Sequence, residues 1–205
     1  MIMGAALLEN TTDKKRKTTG NSMDLDKARG VIYGLAIGDA LGARTEFLKL
    51  DQIRARFGKD GIRDLPVQAL FTDDTQMSIA IAEALVKAGE KDIESIMTAV
   101  RDEFIKWSHL PETCTKAPGN TCLKGVANLE RGVHWTRSGI ASSKGCGSAM
   151  RAAPIGYLYE NDPEKLREVA MQPASAPTVI PRRMRLVSVR PISSSSLLTA
   201  WHLKR

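Results

Sequence analysis

Long apolar runs are missing from this chain. None of its 205 residues lies in a stretch that reaches the roughly 18 apolar residues a bilayer-crossing helix needs, so no membrane partner is expected. Cysteine is scarce: Cys114, Cys122 and Cys146 form no C-x-x-C pair and leave an odd one over. That argues against a disulfide framework or a structural zinc site and fits a reducing, cytoplasmic compartment. Aromatic residues are few, at 5%, which suits a helical globule rich in Ala, Leu and Ile. Strand-like alternation and internal repeats are lacking too, so the body is expected to be all-α. The order of an export signal is also absent, because the apolar run near the start precedes the basic cluster Lys14, Lys15, Arg16 and Lys17 instead of following it.

The formal charge of +7 suggests nucleic acid until it is located. Residues 177–205 hold Arg182, Arg183, Arg185, Arg190, Lys204 and Arg205 with no acid, and residues 1–23 carry a smaller basic excess. The body, residues 24–176, is near neutral. A basic face is therefore not implied there, and nucleic acid is an unlikely partner; a solvated basic tail is the expectation for 1–23.

What is present centres on residues 71–85, FTDDTQMSIAIAEAL. Thr72 suits an N-cap, since its side-chain oxygen can accept from an orphan N–H of the first turn. Asp73 and Asp74 then fall where the helix dipole favours negative charge. Behind them Ile79, Ala82, Leu85 and Val86 are spaced to form a buried face, with the helix running to about Lys87 and stopping near Gly89. Thr-Asp-Asp-Thr reads either as an ordinary charged helix start or as a hard-cation site, because Mg²⁺ takes one or two carboxylates with several retained waters.

Around this stretch, residues 26–43 read as a helix with Gly34, Gly38 and Gly42 on one face. Each glycine costs up to about 1 kcal/mol in a helix interior, so a backbone or ligand is expected to come close. Asp39, set among Ala36, Ile37, Ala40 and Leu41, is expected to be buried and hydrogen-bonded as structural support. Glu46 follows on a loop, where polar residues more often do chemistry. A short helix can precede Phe57. Residues 92–108 form an amphipathic helix with Phe104 and Trp107 in the core, and another helix starts at Gly119. His109 and His134 read as surface residues. Residues 145–160, GCGSAMRAAPIGYLYE, begin with small residues able to let backbone N–H groups approach an anion. Pro154 must lie in the first turn of the helix that follows. A last helix runs from Asp162-Pro163-Glu164 to about Met171.

Four blocks in order resemble the ADP-ribosylglycohydrolase family: GLAIGDALGARTEF at 34–47, FTDDTQMSIAIAEAL at 71–85, APGNTC at 117–122 and GCGSAMRAAPIGYLY at 145–159. The resemblance covers roughly 24–176 and implies an all-α bundle around a two-magnesium (sometimes manganese) cleft. It implies hydrolysis of the glycosidic bond joining ADP-ribose to a protein side chain, or of a related small ADP-ribose derivative. On it, Thr72, Asp73 and Asp74 ligate metal and Glu46 acts near the reacting centre. Gly119 and Asn120, with Gly147 and Ser148, lie against the ADP-ribose. Cys146 stands where many relatives carry Asn.

The family's second metal motif, Gly-Gly-Asp followed closely by Asp and Thr or Asn, is absent, as is the Thr-His block before it. The bundle is therefore expected to be incomplete at its C-terminal end, with the second half of the metal site missing. Back-translation of 176–185 in the shifted frame permits Thr-His-Arg-His-Pro-Ala-Ala-Asp-Ala, a family-like continuation. Residues 177–205 are thus expected to be out of frame, and the chain as it stands to lack detectable hydrolysis. Two rivals remain at this point: a non-catalytic ADP-ribose-binding or crystallin-like relative, and a nucleic-acid binder acting through the basic tail.

Overall fold

The structure, a computed structural model, describes residues 24–140, 142–143, 147 and 149–175, with the backbone alone over 171–175. Among these residues the regular structure is helical, with no β-strand, in agreement with the all-α expectation. The basic segments 1–23 and 177–205 lie outside the described residues.

Two helices form the centre. Helix α3 (Asp73–Ala88) follows α1 (Leu25–Gly42) and α2 (Leu50–Phe57), and it packs most extensively on α4 (Ile93–Ser108). Gly89, at φ 62°, ends α3 by a backbone conformation that suits glycine, and its N–H bonds Leu85 O at 2.9 Å. Asp92 opens α4 by accepting from Ser95 N at 3.0 Å. Trp107 Nε1 donates to Gln76 Oε1 at 3.1 Å, which ties the end of α4 to the start of α3 and makes the pair antiparallel.

Met77, Ile81, Ala84 and Leu85 of α3 meet Ile96, Met97, Val100, Phe104 and Trp107 of α4 in the core. Full burial of each large member contributes about 1.5–3 kcal/mol. Cys122, Val126 and Leu129 of α5 (Asn120–Glu130) close one side. Ile155 of α6 (Ala153–Leu158) and Val169 of α7 (Pro163–Ser175) add to it. Pro154 sits in the first turn of α6, as its missing N–H requires. Helix α7 runs a turn beyond its expected end. His109 and His134 are exposed, beside Glu130 and Glu94 respectively.

Two expectations are corrected. Ile79 and Val86 are exposed, at 37% and 76%. The buried stripe of α3 follows Met77, Ala80, Ile81, Ala84, Leu85 and Ala88, a longer run at the same 3- and 4-residue spacing, and only Leu85 belongs to both faces. The glycine face of α1 is open: a Cβ built at Gly34, Gly38 or Gly42 meets no described atom within 4 Å. Ala40 is the one buried residue that α1 contributes. Its start is tied to α6, through Tyr157 Oη donating to Asp24 O at 2.8 Å and a Lys27–Glu160 ion pair.

Candidate functional site

Acid gathers where α3 begins. Asp39, half-buried near the end of α1, accepts four hydrogen bonds from the Thr-Asp-Asp-Thr turn. Its Oδ2 takes Thr72 N at 2.8 Å, Thr75 N at 3.2 Å and Thr75 Oγ1 at 2.6 Å, and its Oδ1 takes Thr72 Oγ1 at 2.7 Å. This is the supporting role expected of it, since two of those donors are orphan N–H groups at the helix start. Thr72 caps α3 as expected, with Oγ1 accepting from Asp74 N at 3.3 Å. Its hydroxyl proton is committed to Asp39, so the oxygen is left as an acceptor.

Asp73 is buried and bound twice to the loop before α5. Its N–H donates to Lys116 O at 2.9 Å, and its Oδ2 accepts from Gly119 N at 3.3 Å. Lys116 Nζ stands 4.2 Å from the centre of the Phe71 ring, a second fastening of the same loop. Between them Ala117 adopts φ 55° ahead of Pro118, an uncommon conformation that these contacts hold in place.

The electrostatics follow from crowding. Burial pushes the Asp74 carboxyl up to about 6, and the negative charges of Asp73, Asp39 and Glu46 push the same way, while Arg151 opposes them. The Asp73 carboxyl is also raised, mainly by burial, against the Gly119 hydrogen bond and with Glu46 and Asp39 adding to the rise. Glu46 lies exposed on the turn after α1, its N–H on Gly42 O at 3.0 Å. Four carboxylates therefore share one field at one helix end, a surplus of negative charge that a cation would relieve.

The donor chemistry bears on which cation. Among the described residues no three of the His, Cys, Asp and Glu side chains are grouped to enclose a metal ion. The oxygens at hand are two carboxylates and the Thr72 hydroxyl. Such a set fits a hard cation that keeps most of its water, as Mg²⁺ does, and does not make a cage. A surface depression of about 340 Å³ is lined by Arg44, Phe57, Asp60, Gly61, Ile62, Arg63 and Asp64. None of the four acids lines it, and the chemistry at the start of α3 weighs more than its volume.

The structure thus brings Thr72, Asp73, Asp74, Gly119 and, at longer range, Glu46 to one place. Asn120 is exposed as the first residue of α5, which Gly119 caps. Gly147 is half-buried in a turn, and Ser148 and Cys146 lie outside the described residues. Sequence reasoning missed Thr75 as the partner of Asp39 and Arg151 as the buried cation below the acids. A lone charge inside SAMRAAPI was the available signal for the latter.

The ADP-ribosylglycohydrolase family model matches residues 21–176. An ADP-ribosylarginine hydrolase of Serratia proteamaculans is 33% identical over 144 residues, 67% of this chain and 38% of its own. An ADP-ribosyl-[dinitrogen reductase] glycohydrolase of Rhodospirillum rubrum is 30% identical over 188 residues, 88% of this chain and 57% of its own. A protein of Archaeoglobus fulgidus is 38% identical over 141 residues, 65% of this chain and 43% of its own. The chain spans about half the length of these relatives. Among its described residues no helix is long and apolar enough to cross a membrane.

Proposed function

From the premise that the chain belongs to the ADP-ribosylglycohydrolase family, we propose that the start of α3 is a divalent-cation site serving the hydrolysis of ADP-ribose from a modified protein side chain. The observation that carries this reading is the gathering of Asp39, Glu46, Asp73 and Asp74 at one helix start, where burial first and repulsion among the four second lift Asp74 to about 6. Such repulsion is costly in a purely structural helix cap and is useful where a cation binds.

In this reading Thr72 Oγ1, Asp73 and Asp74 hold Mg²⁺ or Mn²⁺. Asp39 does not ligate; it orients Thr72 and fixes the turn through its four hydrogen bonds. When bound, the metal supplies a positive charge that orients ribose hydroxyls and a water. Glu46, exposed on the turn after α1, would take a proton from the attacking water as the anomeric bond breaks. Gly119 and Asn120, where α5 starts, would lie against the ADP-ribose, and Gly147 would offer its backbone N–H to the diphosphate. The relatives' substrates suggest arginine as the modified side chain, on a protein partner.

Calorimetric titration of the 205-residue chain with Mn²⁺ tests the site. Heat should appear in the wild type and vanish in Asp73→Asn/Asp74→Asn, with the far-ultraviolet spectrum retained. Undiminished affinity in the double variant overturns the assignment. In a chain with the family-like reading frame restored after residue 176, ADP-ribose binding without release of ADP-ribose from ADP-ribosylarginine, metal present, would instead mark a non-catalytic binder.

A further inference from the structure

Among the described residues Arg151 is the largest fully buried side chain, at 0% exposure. Removing a guanidinium from water is expensive unless the surroundings replace what water gave it. Its position therefore calls for a reason.

Three helices contribute to its surroundings. Nη1 lies 3.5 Å from Met77 Sδ on α3 and 3.9 Å from Cys122 Sγ on α5. The guanidinium carbon stands 5.2 Å from the centre of the Phe104 ring on α4. Met77 is one turn beyond Asp73, and Cys122 is two residues beyond Asn120. Arg151 thus sits directly beneath the first turns of both helices that build the site. The main chain beside it is fastened to α3 as well, because the Ser78 hydroxyl lies 3.1 Å from Met150 O and 2.8 Å from Asp74 O. Sulfur and ring contacts are soft and polarisable, and they let a planar cation be packed densely. The formal negative charges in its field include Asp73 and Asp74, and the attraction is mutual.

We propose that Arg151 is a positioning residue of the acidic site: clasped between Met77, Phe104 and Cys122, its guanidinium is a permanent positive charge behind Asp73 and Asp74 that holds the starts of α3 and α5 together without a bound cation. Those two helix starts are joined above by Asp73 to Gly119 and below by Arg151. A lysine cannot reproduce the arrangement in full, since it has the charge but not the planar face for Phe104.

The charge role predicts coupling that packing alone does not produce. In the full 205-residue chain without metal, Arg151→Met removes the charge and keeps a long, soft side chain. Its loss in the folding equilibrium constant, read from urea unfolding, should be about tenfold smaller when Asp74 is already Asn, as for residues in one charge network. Arg151→Lys should recover part of that coupling. If Arg151→Met unfolds the wild type but folds alongside Asp74→Asn, the same conclusion holds. Equal losses in both backgrounds, or unfolding in both alike, overturn the proposal and leave Arg151 as packing. The inference concerns the site whose metal reading is given above, but the cycle is metal-free. Mn²⁺ that leaves wild-type unfolding unmoved while the coupling persists sinks the metal reading and not this one.

Discussion

Replacing Asp39 by alanine withdraws one carboxylate from four donors at once, two main-chain and two hydroxyl. The hydroxyls can rotate, so the cost falls mainly on Thr72 N and Thr75 N. A buried N–H left without an acceptor costs about 1–3 kcal/mol. Thr72 is half-buried and can turn to water, whereas Thr75 is 1% exposed and cannot. Taking the low end for the first and the middle for the second gives about 3 kcal/mol for Asp39→Ala. Asp39→Asn keeps one oxygen, which can occupy the place of Oδ2 and still accept three of the four bonds. Its amide would face Thr72 Oγ1, whose hydroxyl can turn to accept, so the loss should be nearer 1 kcal/mol. Urea unfolding followed by far-ultraviolet circular dichroism separates the two: with a slope of about 2 kcal/mol per molar urea, the alanine midpoint should drop by about 1.5 M. Alanine within about 0.5 kcal/mol of the wild type, the range of ordinary surface changes, refutes the anchoring role.

Glu46→Gln should leave the fold intact, because Glu46 is exposed, and should lower the Asp74 midpoint in a carboxylate NMR titration by removing one of the charges that raise it. Wherever turnover is measurable, the same change should cut it far more than ADP-ribose affinity, and full activity removes Glu46 from the mechanism. Asp74, at about 6 in the folded chain against 3.8 ordinarily, holds a proton that the unfolded chain has already released between those values. Stability should therefore fall as pH rises from about 4 to about 6 and level off above, with no penalty from this group below about 4. Asp73 is raised in the same direction, so Asp74→Asn should shrink that fall without abolishing it; parallel pH profiles of the two proteins would contradict it. Trp107→Phe loses the bond to Gln76 Oε1 and should cost about 1 kcal/mol in the same unfolding assay, and an unchanged midpoint would mean the indole N–H contributes nothing.

Helices α3 and α4 were legible from their periodic apolar spacing, and α3 also from a chemical start and stop, Thr72 as cap and Gly89 as terminator. Asp39 was legible for another reason, a carboxylate among apolar neighbours that had to find donors. The register of α3 was not, because Ala fills so many positions that two apolar stripes compete, and only packing against α4 selects the one through Met77 and Ile81. Nor could the glycines of α1 reveal what faces them, since glycine spacing states that room is left and not what occupies it. Thr72, Asp73 and Asp74 could be placed at one helix start from sequence, but their meeting with Gly119 joins positions 46 residues apart and needed the fold. Arg151 escaped notice because an arginine is normally expected at the surface.

The manner in which α1 is held has a consequence for motion. Ala40 is its one buried residue, and its named attachments are polar: Asp24 and Lys27 at one end, Asp39 at the other. Helices α3 and α4 are instead locked by the shared core. Segments with few buried apolar contacts open locally at low free energy while the core stays closed. The amides of α1 should then exchange with deuterium well ahead of those in the middle of α3 and α4. Each such opening lifts Asp39 away from Thr72 and Thr75, so the first turn of α3 loses its acceptors on the same clock. The order of the acidic cluster is thereby set by its least anchored helix, and whatever holds α1 down also holds the carboxylates in place.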